Sequence, residues 1–341
     1  MDCQADVAVI FVNWNTKDLL DRSLGELKAF LGSLRAQVVV IDNASNDGSA
    51  EHIRRHHPAV HLIANSQNEG FAKAVNRGIQ ATGAPLVLVL NPAALPYPGA
   101  IQSMVDLMRA DPAIGIVGPR LVGVNGRLHN SVANHPSLAT ELLHKPLMSR
   151  LLPGRFYSRH FQPSVPACVD SIVGACMLLR RSMLQKIGVF DEDFFLFMEE
   201  TDLCLRAQQA GWKVVFHPHA RALHHQGASA TQAGARARIE YWRSRSVYFR
   251  KHRSPRCCVI LAGMLVVRKL LNIIYFALLG LLSGGARAKL HTEYTLLAWN
   301  LLGQPEGWGL QPAPHVQHAN PAPDHAYRSN EQGVLSPVRR S

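Results

Sequence analysis

Cysteine is scarce in this chain of 341 residues, and its spacing excludes a common class of metal site. The six cysteines are Cys3, Cys168, Cys176, Cys204, Cys257 and Cys258. None of them forms a CxxC or CxxxC pair, so no zinc-finger ligand set is present. We therefore expect reduced cytosolic thiols. Whole-chain disorder is also excluded, because 47% of the residues are hydrophobic and a chain of this length can bury a large core.

Two N-terminal signals are missing as well. No G-x-G-x-x-G follows the first apolar run, so the chain lacks the glycine-rich triphosphate loop expected of a nucleotidyltransferase with an αβα core. The first residues, MDCQADVAVIFVNWN, contain neither a basic n-region nor a cleavage-site pattern. We therefore expect no secretory signal peptide and a catalytic part that faces the cytoplasm.

Acidic residues are few in the C-terminal third, which concentrates the net charge of +12 there. Up to residue 230 the chain has 21 Lys and Arg against 19 Asp and Glu, and from 231 onward it has 15 against 5. A basic bias of this kind fits either nucleic acid or an anionic membrane surface. The apolar stretch 257–285 follows the basic, aromatic stretch YWRSRSVYFRKHRSPR, and this neighbourhood favours the membrane, with no nucleic-acid partner.

An uninterrupted apolar run of spanning length is lacking too. Arg268 and Lys269 lie near the middle of 257–285, whereas a spanning helix needs about 20 predominantly apolar residues. We expect 241–289 to associate peripherally, in the plane of the inner face of the cell membrane. A spanning or re-entrant hairpin and a purely soluble helical hairpin stay open as alternatives.

The first positive feature is an alternation of short strands and helices. Five β-branched runs are apolar on both alternating faces, namely VAVIFVN, QVVVIDN, VHLIAN, PLVLVLN and IGIVGPR. Such runs are typical of parallel strands covered by helices on both sides. Between the first two, Thr16 is a candidate N-cap, and four leucines from Leu20 to Leu31 share one helical face. The predicted fold class is α/β, Rossmann-like, with a mostly parallel central sheet.

Composition divides the chain into three parts. Residues 1–230 carry the strand and helix pattern of an α/β domain, with an irregular excursion over 121–166. Residues 231–303 predict a basic and apolar helical region, and the mostly polar residues 304–341 predict a disordered tail. After the run VLVLN, Pro96 and Pro98 predict a turn in which nothing regular forms at once.

Two loops that follow strands carry groups suited to a nucleotide. The turn IDNASNDGS contains Asp42 and Asp47, whose carboxylates can accept hydrogen bonds from a base or a ribose. The residues alone fit an Asx-turn with a helix cap equally well. In NEGFAKAVNRGI, a glycine-containing loop leads into a helix N-terminus, which is a natural anion site. Lys73 and Arg77 are close enough in sequence to meet a phosphate there.

Seven blocks follow one another within residues 6–255: FVNWNT, VVVIDNASNDGS, NEGFAKAVNRGI, VLVLNPAA, VDSIVGACMLLRRS, GVFDEDFFLFMEETDLCLRAQQAGW and HPHARALHHQGAS. Together they resemble the family 2 glycosyltransferases, and more narrowly the bacterial rhamnosyltransferase-like members. The resemblance implies a GT-A fold, a nucleotide-sugar donor and an inverting transfer. Carried across block by block, it implies that the donor is bound by Asn13, Asn15, Asp42, Asp47, Lys73, Asn76, Arg77, Asn91 and Gly174.

The same resemblance implies a catalytic role for the acidic block FLFMEETDLCLR. It makes Glu200 the general base, with Glu199 and Asp202 beside it at the start of a helix. The family more often has Asp at this position, so Glu200 is a longer arm. The alternative is a helix N-terminus enriched in acids for its dipole. A single displacement at an anomeric carbon independently requires a carboxylate that takes the proton of the acceptor hydroxyl.

The block VLVLNPAA departs from the family. The resemblance implies Asn-Pro-Asp here, whose carboxylate coordinates Mg²⁺ or Mn²⁺ on the diphosphate, yet Ala93 occupies the Asp position. Asn91 and His224 are then the candidate metal ligands. Three hypotheses follow: weakened metal use, metal-independent stabilisation by cations such as Lys73 and Arg77, or a protein that binds without catalysis.

The favoured function is transfer of rhamnose or another hexose from dTDP-rhamnose or a UDP-sugar. The expected acceptor is a cell-surface glycan precursor or a lipid-linked glycan. The alternative is a catalytically inactive GT-A module that binds nucleotide sugar or scaffolds polysaccharide assembly. Retention of the acidic block argues against inactivity, because a decayed site has less reason to keep three acids.

Overall fold

The computed structural model describes residues 5–143, 145–152, 155–158, 161, 163–225, 228–280, 284–305 and 307–311. The strands are β1 (Val7–Asn13), β2 (Ala36–Asp42), β3 (His61–Ala64), β4 (Leu86–Leu90), β5 (Ala94–Pro96), β6 (Ile114–Val122), β7 (Val132–Ala133), β8 (Ala167–Cys168), β9 (Ser171–Ile172), β10 (Cys176–Arg180) and β11 (Lys213–His224). The helices are α1 (Lys17–Leu31), α2 (Ser49–His56), α3 (Phe71–Gln80), α4 (Ala100–Ala110), α5 (Leu138–Leu142), α6 (Lys145–Leu151), α7 (Arg181–Ile187), α8 (Glu199–Gln209), α9 (Ala228–His252), α10 (Pro255–Gly280) and α11 (Gly284–Leu301).

The main sheet has the strand order β3-β2-β1-β4-β10-β6-β11-β5, with β8 paired to β11. Strands β3, β2, β1 and β4 are parallel, which confirms the central expectation from the five apolar runs. Strand β10 is antiparallel to both of its neighbours, β4 and β6. Because β1, β2 and β4 run the same way, their carboxyl ends meet at one edge of the sheet, where ligands bind in open α/β folds.

Helices cover both faces of this sheet, as runs that are apolar on both sides require. One core contains the leucines of α1 together with Met104 of α4, and all four leucines predicted to share a face are buried. The opposite core contains Val75 of α3 and Leu203 of α8. Thr16 does stand at the N-cap of α1, but its hydroxyl donates to Asn13 Oδ1 at 2.7 Å instead of accepting from a helix N–H.

The prediction that nothing regular follows β4 at once was wrong. Ala94–Pro96 forms the short strand β5, which pairs with the end of β11 at the outer edge of the sheet. Proline removes a ladder N–H, and an edge strand has one side that needs no partner. Pro96 therefore correctly indicated that no central strand forms here, but an edge strand does form.

Three helices at the C-terminus pack around their own core, which includes Tyr248, Leu265 and Trp299. The two charges that interrupt the apolar run do not share one environment. Lys269 is 2% exposed and its Nζ lies 2.9 Å from a carboxylate oxygen of Glu293 on α11. The stretch Pro255–Leu278 is long and apolar enough to cross a membrane by length and composition. The burial of Lys269 against α11 fits a helix that lies in the membrane plane as well as one that spans the membrane.

The division into three parts stays a prediction. Of the tail expected to be disordered, residues 304, 305 and 307–311 are described, and 307–311 lie against α9. Residues 312–341 lie outside the described residues.

Candidate active site

The carboxyl ends of β1 and β2 place Asn13 and Asp42 side by side. The two residues are paired in register, and each is at most 2% exposed. Asn13 Nδ2 donates to Asp42 Oδ2 at 2.8 Å, and the N–H of Ser45 donates to Asp42 Oδ1 at 2.9 Å. The predicted nucleoside carboxylate is thus fixed in place before any ligand binds. Such preorganisation lowers the ordering cost of binding.

Hydrogen bonds also hold the residues that follow Asn13 and Asp42 in their loops. Asn15 accepts from the N–H of Asn46 at 2.7 Å, and Asn15 and Ala44 both have left-handed φ, 54° and 59°. Non-glycine residues rarely adopt such φ values, and functional sites concentrate them. Asp47 accepts from Lys17 N–H at 2.8 Å and from the N–H of Ser49. The contact with Ser49 forms the expected Asx-turn, and the contact with Lys17 joins the start of α1 to the start of α2.

The loop before α3 is held against the segment that precedes α8. Gly70 has φ +84°, and a β-carbon on it would lie 2.5 Å from the carbonyl oxygen of Phe195. The N–H of Phe71 donates to that same oxygen at 2.7 Å. Asn43 Nδ2 donates to the carbonyl of Gly70 at 3.0 Å. Only glycine fits this close approach, which ties the nucleotide-side loops to the loop that carries the acids.

The cations predicted to meet phosphate already have a partner. Lys73 Nζ lies 3.2 Å from a carboxylate oxygen of Glu69, and Arg77 Nη2 lies 2.9 Å from the same side chain. Arg77 Nη1 also donates to Asn65 Oδ1 at 2.7 Å. Glu69 shares its negative charge between two cations, so the positive charge that this helix offers a diphosphate is reduced.

The structure gives Asn76 a different role from donor contact. It is 2% exposed, and its Nδ2 donates to the carbonyl of Phe190 at 2.8 Å. Its Oδ1 accepts from the N–H of Phe190 at 3.1 Å. Asn76 thus pins α3 to the chain that leads to α8 and acts as a positioning residue.

The end of β4 carries the segment in which an aspartate was expected. Asn91 Oδ1 accepts from the N–H of Ala93 at 2.8 Å, and Ala93 is 4% exposed. The carbonyl of Ala93 accepts from His225 N–H at 2.9 Å, which places the end of β11 beside it. Burial lowers the pKa of His224 to about 4, so this imidazole is neutral near pH 7.

These groups do not by themselves fit a site for Mg²⁺ or Mn²⁺. Such hard cations prefer carboxylate, carbonyl and water oxygens. The segment 91–94 supplies no carboxylate, and the one side-chain oxygen of Asn91 already accepts a hydrogen bond. His224 offers nitrogen and no charge. His225 Nε2 is buried and has no hydrogen-bond partner within the described part of the chain.

The candidate base lies at the start of α8. Phe197 and Met198 precede it with left-handed φ of 70° each, which turns the chain sharply into the helix. The side chain of Glu200 lies over Gly174, at 3.7 Å from the position of a β-carbon there. Gly174 has no side chain on the side that faces Glu200. Asn91 lies next to this segment, because its N–H donates to the carbonyl of Ala175 at 2.9 Å.

Two adjacent carboxyl groups share this desolvated place. Burial raises the pKa of Glu200. Burial, followed by the charge of Glu200, raises the pKa of Glu199 well above its usual value. Within the described residues, one oxygen of each carboxylate is buried without a hydrogen-bond partner. Desolvated carboxylates with raised pKa values are typical of functional sites.

Asp202, the third acid of the block, is fully paired. It is 1% exposed, and its Oδ2 lies 2.7 Å from Nε of Arg206, one turn along α8. Its Oδ1 lies 2.6 Å from Nε2 of His252 at the end of α9. The contact with His252 joins α8 to α9, so Asp202 helps to fix the position of the acidic block.

A cavity of about 100 Å³, here called the strand-end pocket, lies between these elements. Its lining includes Trp14 after β1, Asn43 after β2, Phe71 at the start of α3 and Asn91 after β4. Phe195 and Leu196 before α8 also line it, as does Leu310. The loops after β1 and β2, the end of β4 and the loop before α8 thus surround one cavity.

Several residues of this site were not identified from the sequence. Trp14 and Phe71 stand inside the recognised blocks, and their adjacency to Asn13 and Lys73 could have suggested them. Ser244 of α9 donates to the carbonyl of Leu196 at 2.7 Å and steadies the loop before the acids. Neither Ser244 nor Leu310 belongs to any recognised block, so no local signal could have indicated them.

Comparison with known proteins agrees with this arrangement. The family model described as glycosyl transferase family 2 matches residues 8–188. An N-acetylglucosaminyl-diphospho-decaprenol L-rhamnosyltransferase of Mycobacterium tuberculosis is 31% identical over 243 residues, which cover 65% of this chain and 76% of that protein. A low-salt glycan biosynthesis hexosyltransferase of Haloferax volcanii is 25% identical over 231 residues, covering 67% of this chain and 69% of that protein.

Among solved structures, GalNAc-T7 in complex with UDP, GalNAc and Mn²⁺ resembles this chain with a TM-score of 0.50. The two are 18% identical, and the match covers 72% of this chain and 48% of that chain. At this level of identity the likeness concerns the fold. It confirms the expected GT-A arrangement of the central sheet.

Proposed function

The chain belongs to glycosyltransferase family 2, and from this membership we propose that it transfers rhamnose, or another hexose, from a nucleotide sugar with inversion. The observation that supports this most directly is the desolvated Glu199–Glu200 pair beside the end of β4. The relative from Mycobacterium tuberculosis is named as an L-rhamnosyltransferase, which favours dTDP-rhamnose as donor over a UDP-sugar.

In the proposed reaction Glu200 is the general base. The acceptor hydroxyl oxygen attacks C1 of the donor sugar while its proton passes to a carboxylate oxygen of Glu200. The bond between C1 and the diphosphate oxygen breaks on the opposite face, so the nucleoside diphosphate leaves and the configuration inverts. Burial that raises the pKa of Glu200 makes its ionised form a stronger base than an exposed carboxylate.

The donor's nucleoside is proposed to bind at the ends of β1 and β2. There Asp42 is held by Asn13 and the N–H of Ser45, and Asn15 by its contact with the N–H of Asn46. The diphosphate then points toward the end of β4. Lys73 and Arg77 already pair with Glu69, so only part of their positive charge can neutralise the diphosphate.

Metal use is proposed to be weak or dispensable. Structures of this fold include one with UDP, GalNAc and Mn²⁺, so a divalent cation is a reasonable partner of the donor. In this chain Ala93 replaces the expected carboxylate, and Asn91 and His224 add no negative charge. Metal affinity should therefore depend mainly on the donor's own phosphates.

The acceptor is proposed to be a lipid-linked glycan precursor at the cytoplasmic face of the membrane. The name of the relative at 31% identity includes a diphospho-decaprenol carrier. On α10 the side chains of Val259, Leu271, Ile274 and Leu278 are each more than half exposed. An unpartnered apolar helix face next to a basic segment is suited to an anionic bilayer surface.

The decisive test is a donor panel with release of nucleoside diphosphate as readout, run with a lipid-linked acceptor and with or without Mn²⁺. We expect acceptor-dependent release from dTDP-rhamnose. Tight donor binding with neither transfer nor hydrolysis, for any donor and metal, would instead support the binding-only module. Release from a nucleoside triphosphate alone would contradict both.

A further inference from the structure

Residues 307–311, here called the strap, follow α11 and reach the strand-end pocket. Leu310 lies against the same cavity as Trp14, Asn43 and Phe195. Trp14 and Asn43 come from the loops that carry the proposed donor site and Phe195 from the loop before the acids, whereas Leu310 arrives from the far end of the described chain. A segment remote in sequence thus forms part of the wall of the proposed donor pocket.

Side chains of α9 hold the strap in place. Nε of Arg236 donates to the carbonyl of Gly309 at 2.9 Å, and Glu240 Oε2 accepts from the N–H of Leu310 at 3.2 Å. Glu240 is fully buried and pairs with Arg243, whose Nη1 lies 3.2 Å from the same oxygen. The strap is therefore attached by a few hydrogen bonds over a preformed ion pair, and each such bond contributes little net free energy.

The fit between the strap and α9 is close. Gly309 is buried, and a β-carbon on it would lie 2.5 Å from Glu240 Oε2 and 3.0 Å from Arg243 Nη1. The backbone of the strap thus lies directly on the ion pair. A contact of this kind is specific to one position of the strap, as expected for a docked segment.

The pocket under the strap is too small for the proposed donor. Its volume is about 100 Å³, whereas sites for ligands of this size occupy roughly 300–1,000 Å³. Accordingly, and resting on the proposed function, we propose that the strap occludes the donor pocket and is displaced when a nucleotide sugar binds. The closed strap then lowers apparent donor affinity by the fraction of molecules that are open.

Two single variants of the full chain test the direction of this effect. Arg236→Ala removes one strap bond from an exposed residue of α9, and Leu310→Ala removes the side chain that narrows the pocket. In calorimetric titrations with dTDP and UDP, both variants should bind more tightly than wild type, and Arg236→Ala about three- to ten-fold more tightly, the change expected for one lost hydrogen bond. Leu302→Ala, at a position 65% exposed, is the matched control and should leave affinity unchanged.

Hydrogen exchange at the amide of Leu310 gives an independent readout. This N–H donates to Glu240 in the closed form, so saturation with dTDP or UDP should accelerate its exchange. Slower exchange with nucleotide, or weaker binding by both variants, would overturn the proposal and make the strap a permanent wall of the site. Binding by wild type with no gain in either variant also overturns it and leaves the proposed function intact. If no form binds either nucleotide, the proposed function fails and the strap proposal falls with it.

Discussion

Replacing Glu200 with glutamine tests the proposed base most directly. Glutamine has nearly the shape of glutamate, so the contact of the side chain over Gly174 is preserved. What is lost is the capacity to take a proton from the acceptor hydroxyl. We therefore expect acceptor transfer to fall while donor affinity stays within a few-fold of wild type.

The magnitude follows from the environment of the carboxylate. A positioned general base contributes about 10²–10⁴-fold, which is roughly 2.7–5.5 kcal/mol of transition-state stabilisation. Burial raises the pKa of Glu200, so the wild-type acid limb of kcat/KM should lie above the pH at which an ordinary glutamate titrates. Activity rises as pH increases through that pKa, because only the ionised form accepts the proton. This limb should disappear in Glu200→Gln.

Stability provides a check on misfolding. A glutamate whose folded-state pKa is raised binds its proton more tightly in the native state, so native stability falls as pH rises through the interval between the ordinary and the raised pKa. Above that interval, Glu200→Gln relieves the buried charge and should unfold at the same or a higher temperature than wild type. A loss of activity that came with a lower unfolding temperature would indicate damage to the fold.

The matched control is Glu199→Gln, which removes the neighbouring carboxyl group of the same type. It should leave the acid limb near its wild-type position and retain most of the turnover, because the charge of Glu200 raises the pKa of Glu199, so Glu199 is still protonated when Glu200 ionises. Transfer must be measured, since donor hydrolysis can proceed without a base for the acceptor. Turnover of Glu200→Gln within a few-fold of wild type would refute the assignment.

Three further changes have defined outcomes. Ala93→Asp should raise Mn²⁺ affinity about ten-fold or more, by restoring a charged ligand; identical metal titrations of the two proteins would place position 93 outside the coordination shell. Asp202→Ala should lower the free energy of unfolding by about 1–3 kcal/mol, because it leaves the partly buried Arg206 and His252 without their carboxylate partner, and chemical denaturation measures this. Leu271→Gln with Ile274→Gln, on the exposed face of α10, should reduce co-sedimentation with anionic vesicles, whereas equal sedimentation would argue against membrane docking by that face.

The parallel half of the sheet was predictable because each strand is buried on both sides. Val7–Asn13 and Leu86–Leu90 appear in the sequence as continuous apolar runs, and the structure places their bounds within one residue of the prediction. The antiparallel direction of β10 was not predictable. Its residues, CMLLR, would look the same in either direction, since both kinds of central strand are covered on two faces.

The candidate site was predictable as a set of blocks but not as a set of contacts. The family resemblance placed Asn13 and Asp42 in one donor site, and the two side chains are hydrogen-bonded to each other. The pairing of Glu69 with Lys73 and Arg77 depends on how the loop before α3 turns, which local sequence does not determine. Likewise the burial of Asn76 follows from a segment more than a hundred residues away.

Ala93 and Glu69 together bear on how the leaving group is stabilised. A diphosphate that departs with two or more negative charges needs positive charge near the end of β4. Ala93 removes a protein anchor for a cation, and Glu69 already occupies the two nearest basic residues of α3. If metal is held mainly by the donor's phosphates, metal and donor must strengthen each other's binding by the same factor, as linkage requires. In that case Ala93 shifts recognition by the protein from a cation and a sugar nucleotide separately to the complex of the two.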